Sequence, residues 1–184
     1  MIFIKTEIPD VYIIEPAVFG DERGYFLESF SLDKFQEYIH PINFVQDNES
    51  KSSKGVLRGL HFQRPPFEQA KLVRCIEGEV IDVAVDIRRG SPTYGKHVAI
   101  VLSGENKRQL FVPRGFAHGF SVLSESAVFA YKVDNTYAPT FEDGIRYDDK
   151  QLNIDWKISE EDIQLSLKDK NLSTFKEFDT PFTF

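Results

Sequence analysis

Apolar and polar residues alternate along Val80-Ile-Asp-Val-Ala-Val-Asp-Ile. Ile81, Val83, Val85 and Ile87 fall on one side of the chain, Asp82 and Asp86 on the other. A period of two is the mark of a β-strand. Arg89-Gly-Ser-Pro-Thr-Tyr-Gly then turns the chain, and His97-Val-Ala-Ile-Val-Leu resumes an extended run. Ser103-Gly-Glu-Asn turns it again before Gln109-Leu-Phe-Val-Pro, and Ala127-Val-Phe-Ala-Tyr-Lys-Val follows. Short strands at this spacing, divided by turn residues, predict an antiparallel sandwich or barrel. One early segment has helical spacing instead: Ser31 can cap it, Asp33 suits its first turn, and Leu32, Phe35 and Ile39 fall near one face. The last forty or so residues are more polar and are expected to wrap the barrel as loops and short helices.

Composition sharpens this reading. The chain has 184 residues, of which 17 are Phe and 7 Tyr against a single Met. That aromatic bias suits pleated sheet more than helix, so the fold class expected is all-β. No repeat or linker divides the sequence, and one domain over residues 1–184 is expected. The lone cysteine, Cys75, leaves no partner for an internal disulfide and favours a reducing compartment. No apolar stretch is long enough for a membrane helix, and MIFIKTEIPD is not a signal peptide, so a cytoplasmic protein without a membrane partner is expected. A net charge of −7 argues against a nucleic-acid partner, because phosphate-backbone binders are usually basic. An anionic small molecule would need cations that converge locally.

Two motifs bear on chemistry. Pro113-Arg-Gly-Phe-Ala-His118 matches the second half of the cupin signature, PxGxxH, which implies a small jelly-roll barrel. A metal-binding cupin also carries HxH and a nearby Glu, because the ion needs three or four N/O ligands. Here Gly55-Val-Leu-Arg-Gly-Leu-His61-Phe-Gln63 puts glutamine where the second histidine belongs. Counting forward from Gln63 places Glu68 at the Glu position, and counting back from Gly78 places Lys71 there. On either count the ligand set is incomplete, and no metal is expected. Taken singly, His61 and His118 read equally well as satisfied polar residues in strands.

The wider pattern is more specific. Arg58-Gly-Leu-His61-Phe-Gln, followed by Lys71-Leu-Val-Arg and Gly78-Glu-Val-Ile-Asp-Val, resembles the dTDP-4-dehydrorhamnose 3,5-epimerase family. Upstream, Asp21-Glu-Arg-Gly-Tyr-Phe-Leu-Glu28 and Phe44-Val-Gln-Asp-Asn48 continue the resemblance. Downstream it runs through Phe111-Val-Pro-Arg-Gly-Phe-Ala-His-Gly-Phe, Tyr131-Lys-Val-Asp-Asn-Thr-Tyr137, Gly144-Ile-Arg-Tyr-Asp-Asp and Leu165-Ser-Leu-Lys-Asp169. The blocks keep the family's order from about residue 20 to residue 170. One departure is Lys157 after Trp156, where the family often has proline; little consequence is expected there.

The resemblance implies a cupin-like antiparallel β jelly-roll barrel with short peripheral helices, working as a homodimer without a cofactor. The implied reaction inverts C3 and C5 of a dTDP-linked 4-keto-6-deoxysugar by removing and returning protons beside the C4 ketone. It needs a base, an acid on the opposite face and a group to hold enolate charge. The matching residues are His61 as base paired with Asp169, Tyr131 as acid and Lys71 beside the enolate oxygen. Locally, Asp169 reads as a solvated residue in a Lys-Asp-Lys stretch, Tyr131 as a core tyrosine and Lys71 as a strand-edge lysine. Positions implied to contact the nucleotide-sugar are Arg23, Glu28, Gln46, Asn48 and Arg58, then His118, Glu142 and Lys168. Tyr137 matches a residue that stacks on thymine, and Phe26 adds apolar contact. Arg23, Arg58 and Lys168 are the cations available to a diphosphate. Three other readings share parts of the pattern. These are an epimerase acting at C3 or C5 alone, a metal-dependent cupin and a non-catalytic nucleotide-sugar binder.

Overall fold

A computed structural model describes residues 1–184. Thirteen strands form two antiparallel sheets that face each other, with one separate hairpin. The strands are β1 (Ile2–Lys5), β2 (Tyr12–Glu15), β3 (Val18–Asp21), β4 (Gly24–Leu27), β5 (Gln46–Ser53) and β6 (Leu57–Gln63). They continue as β7 (Lys71–Glu77), β8 (Glu79–Asp86), β9 (His97–Ser103), β10 (Gln109–Val112), β11 (Phe116–Val122), β12 (Ser126–Val133) and β13 (Glu142–Gly144). One sheet runs β1-β2-β10-β7-β12-β5 and the other β13-β6-β11-β8-β9, the jelly-roll architecture of the cupins. No helix is long and apolar enough to cross a membrane.

Alternation along each strand divides three apolar clusters. Val73, Val80, Leu102, Leu110, Val122 and Phe129 meet between the sheets. Ile81, Val83, Val85 and Ile87 point the other way from β8, and the C-terminal segment covers them with Leu152, Trp156, Phe175 and Phe182. The polar tail therefore wraps the barrel, as expected, but supplies the apolar cover of one whole sheet face. Its backbone joins the barrel through bridges at Val56–Gln164 and Ile145–Ser173. The third cluster lies outside the six-stranded sheet, where α1 (Leu32–Tyr38) seats Phe35 against Ile14, Leu72 and Phe111.

Two local expectations need correction. Ser31 stands at the N-cap of α1 but makes no side-chain capping bond. Leu32 is 43% exposed, so only Phe35 and Ile39 of the expected stripe turn toward the barrel. Lys157 after Trp156 adopts φ 59°, a conformation the proline ring cannot reach.

Two glycines let β6 and β11 meet beside the site. A Cβ on Gly59 (φ 130°) would stand 2.5 Å from the Gly119 Cα. One on Gly119 would lie 2.7 Å from the Arg58 carbonyl oxygen. The pairing register shifts at this point, between His118 and Phe120. His118 pairs directly with His61, so the two imidazoles leave their strands on the same face.

Candidate active site

At one end of the barrel the inward positions stop being apolar. On β8, Asp82 shares the inner face with Val80 and Ala84; on β11, His118 shares it with Phe116 and Phe120. Lys71 precedes Val73 on the inner face of β7, and Tyr131 follows Phe129 on that of β12. Asp82 was half of the alternation that identified β8, and its side of the strand is interior rather than solvent. This polar end opens into a cavity of about 720 Å³ lined by His61, Tyr131 and Asp169, with Arg58, Tyr137 and Glu142 among its other residues.

His61 Nε2 lies 2.5 Å from Asp169 Oδ1, which leaves the other ring nitrogen free. Their separation of 108 positions is closed by the C-terminal wrap, which brings Asp169 to β6 at the head of a single turn of 3-10 helix over Asp169–Asn171. Asp169 is 3% exposed. Burial raises its pKa, but hydrogen bonds from His61 and Ser166 outweigh that and hold the carboxyl below its ordinary value. Ser166 Oγ donates to Oδ2 at 2.7 Å.

A second histidine–carboxylate pair lies inside the barrel. His118 Nε2 is 2.9 Å from Asp82 Oδ1, with both side chains buried. Asp82 Oδ2 has no hydrogen-bond partner. Neither His118 nor Lys71 is on the cavity lining. Burial, partly offset by the Asp82 and Glu142 carboxylates, pushes the Lys71 ammonium down to about 8. Burial also raises the Tyr131 phenol above its ordinary value, against the pull of Arg58, so it keeps its proton at neutral pH.

The binding positions separate into two groups. Gln46, Asn48, Arg58, Tyr137, Glu142 and Lys168 all line the cavity. Gln46 donates to Asn48 at 2.8 Å on β5, and Asn48 is the direct cross-strand neighbour of Tyr131. Arg58 bonds only to the Ser52 hydroxyl, at 3.1 Å, and has no carboxylate partner. Glu142 receives the Tyr137 hydroxyl at 2.8 Å and pairs with the Lys168 ammonium. Burial works against its ionisation, yet these two bonds and nearby His61 hold the Glu142 carboxyl low. Arg23, Phe26 and Glu28 are elsewhere. They sit on or beside the β3–β4 arm, where Arg23 pairs with Asp21 and Glu28 with Lys34. The arm is apolar and exposed, with Phe19 66% and Phe26 68% accessible.

The residues at the cupin metal positions do not fit an ion. Gln63 is 4% exposed and its amide is fully engaged. Nε2 donates to the Phe67 and Thr136 carbonyls at 2.6 and 3.1 Å, and Oε1 accepts from the Ala138 amide at 2.7 Å. Lys71 takes the inward place on β7, while Glu68 binds Arg114 in the preceding loop. No three His, Cys, Asp or Glu side chains converge. Gln63 thus clamps the loop that carries Tyr137. Sequence reasoning weighed it only as a failed ligand and gave no role to Ser52 or to Ser166, although Ser166 lies within the Leu165–Asp169 block.

Comparison with known proteins bears on the chain and fold as a whole. The profile of the dTDP-4-dehydrorhamnose 3,5-epimerase family matches residues 5–177. A Shigella flexneri relative of that name is 58% identical over 177 residues, covering 96% of this chain and 97% of its own. The crystal structure of the epimerase from Elizabethkingia anophelis NUHP1 superposes with a TM-score of 0.92 at 57% identity, over 96% of this chain and 97% of that one. An epimerase from Legionella pneumophila Philadelphia 1, solved with dTDP-4-keto-L-rhamnose, reaches a TM-score of 0.95 at 51% identity, over 99% and 98% of the two chains.

Proposed function

The chain belongs to the dTDP-4-dehydrorhamnose 3,5-epimerase family, and from that premise we propose that His61 and Tyr131 move the protons of its reaction across one cavity. The enzyme is an isomerase that inverts C3 and C5 of dTDP-4-dehydro-6-deoxy-D-glucose to give dTDP-4-dehydro-L-rhamnose. One observation carries the assignment of roles. His61 stands on the five-stranded sheet and Tyr131 on the six-stranded sheet, so they reach the shared cavity from opposite walls. Inversion requires a proton to leave one face of a carbon and arrive at the other, which is what facing walls provide.

In this reading the free nitrogen of His61 takes the C–H proton, and Asp169 stabilises the imidazolium that results. The electron pair passes to the C4 oxygen, where the Lys71 ammonium holds the enolate charge. Tyr131 returns a proton from the far side. The ketone itself acidifies both neighbouring carbons, so the proposal invokes no cofactor. Arg58 meets the diphosphate, since it enters the cavity with no carboxylate of its own. Gln46, Asn48, Glu142 and Lys168 hold the sugar and phosphates, and Tyr137 stacks on the base, while His118, off the cavity lining, is given to Asp82 instead.

The remaining residues call for a second subunit. Arg23, Phe26 and Glu28 serve the cavity only if the β3–β4 arm enters a partner's site, and we assign the protein to homodimers on that ground. Two facts support it: the arm exposes large aromatics, and β1 and β5 are unpaired sheet edges. The single cysteine and the nucleotide-sugar substrate favour a cytoplasmic setting. Mixing His61→Ala protein with Arg23→Ala/Phe26→Ala protein tests the arm. Recovery of activity in the mixture is expected, and none would mean the arm does not act across subunits. The reaction itself is read by proton NMR of substrate in D2O. Deuterium is expected at both C3 and C5, whereas exchange at one carbon would leave a single-centre epimerase.

A further inference from the structure

The Asp169 carboxylate is held at both ends. Oδ1 faces His61, and Oδ2 accepts the Ser166 hydroxyl at 2.7 Å, while the Asp169 backbone N–H donates back to Ser166 Oγ at 3.1 Å. Ser166 and Asp169 thereby close a small ring ahead of the terminal turn. The intervening Leu167 is 81% exposed while Asp169 is 3% exposed, so the carboxylate is buried and its side-chain bonds come from Ser166 and His61. A carboxylate torsion is broad when nothing fixes it, and here two opposed hydrogen bonds fix its plane.

We propose that Ser166 is a positioning residue, which acts through the Asp169 carboxylate to hold the His61 ring with its free nitrogen toward the sugar. The inference rests on the reading of His61 as the base. Ser166 also moderates that base. Its hydroxyl draws charge from Oδ2, and without it the carboxylate would favour the imidazolium more strongly. Other charged or titratable groups about the ring are Lys168 and Glu142 at the mouth, Tyr131 on the facing wall and Arg58 on β6 itself. Further in are His118 of β11, Asp82 of β8 and Lys71 of β7. Of all these only Asp169 is hydrogen-bonded to the His61 ring.

The test is the pH profile of Ser166→Ala in the full-length enzyme. Turnover and deuterium exchange at both carbons should fall roughly three- to tenfold, with KM nearly unchanged. The acid limb of kcat/KM should move to higher pH, and Ser166→Thr, which keeps the hydroxyl, should restore it. A lower melting temperature with an unmoved limb would reduce Ser166 to a structural residue. A raised KM with unchanged turnover and limb would make it a substrate contact. Either result overturns the proposal. Should the alanine variant fail to fold, Ser166→Cys, close in volume and weak as a donor, reads the same limb. Failure of the underlying reading shows separately, as exchange that survives in His61→Ala.

Discussion

The histidines of two histidine–carboxylate pairs stand on neighbouring strands of one sheet, and their surroundings set them apart. His61–Asp169 stands at the cavity mouth with the imidazole 24% exposed and one nitrogen free. His118–Asp82 lies inside the barrel, 8% and 0% exposed, against the Phe129 ring. Both pairs are hydrogen-bonded, at 2.5 and 2.9 Å. On the proposed reading, what separates a base from a fixture is access. A proton taken by His61 has a substrate to come from and solvent to leave to, while His118 chiefly answers a carboxylate that would otherwise be buried alone. The residues can be exchanged on paper; their places in the barrel cannot.

Mutation should divide the pairs along that line. The largest effect expected is on chemistry. His61→Ala should lower turnover by about 10³-fold or more and abolish exchange at both carbons, with little change in melting temperature. Next, His118→Ala should cost about 3–5 kcal/mol of stability, because it strands the Asp82 carboxylate in the core. Calorimetry or denaturant melts would measure it, and exchange by the protein that remains folded should continue. Tyr131→Phe should slow turnover by about 10²-fold while initial proton loss suffers less. Equal loss of exchange and turnover would count against that division of labour.

The mildest test changes only pH. In the proposed mechanism Lys71 must be charged to hold an enolate, and burial pushes its ammonium down to about 8. Activity should thus fall as pH rises through about 8, roughly tenfold per unit well above it if the neutral amine is inactive. Stability should move the other way. Between about 8 and the ordinary 10.5 the unfolded chain binds more protons at this residue than the folded one. Its contribution to stability accordingly rises with pH over that window. Lys71→Arg should remove the limb, since guanidinium stays charged. A limb unmoved by that substitution would exclude Lys71 as its source.

The contrast between core and site also explains what the sequence made legible. β8 was readable from its period of two, and β9, β10 and β12 from short apolar runs bounded by turn residues. β5, Gln46-Asp-Asn-Glu-Ser-Lys-Ser-Ser, shows no such pattern, because its inward positions are spent on the polar cavity. Local rules tend to fail at functional sites, and here that failure marks one. The β3–β4 arm escaped for the opposite reason: its apolar residues face outward, with nothing of their own chain to cover them. Asp169 was legible only through family resemblance. Its local surroundings read as solvated charge, and its partner His61 reaches it through the folded C-terminal wrap. Ser166 bonds to Asp169 within its own block and Gln63 to the loop around Tyr137, and hydrogen bonds of either kind leave no periodic trace along the chain.

The most direct measurement is deuterium incorporation by His61→Gln and His118→Gln enzymes side by side, with dTDP-4-dehydro-6-deoxy-D-glucose in D2O. Glutamine keeps a donor for each carboxylate, so both proteins should fold. The account predicts no exchange at C3 or C5 with His61→Gln and exchange at both with His118→Gln. Exchange surviving in the first and lost in the second would make the buried pair the base and reverse the assignment.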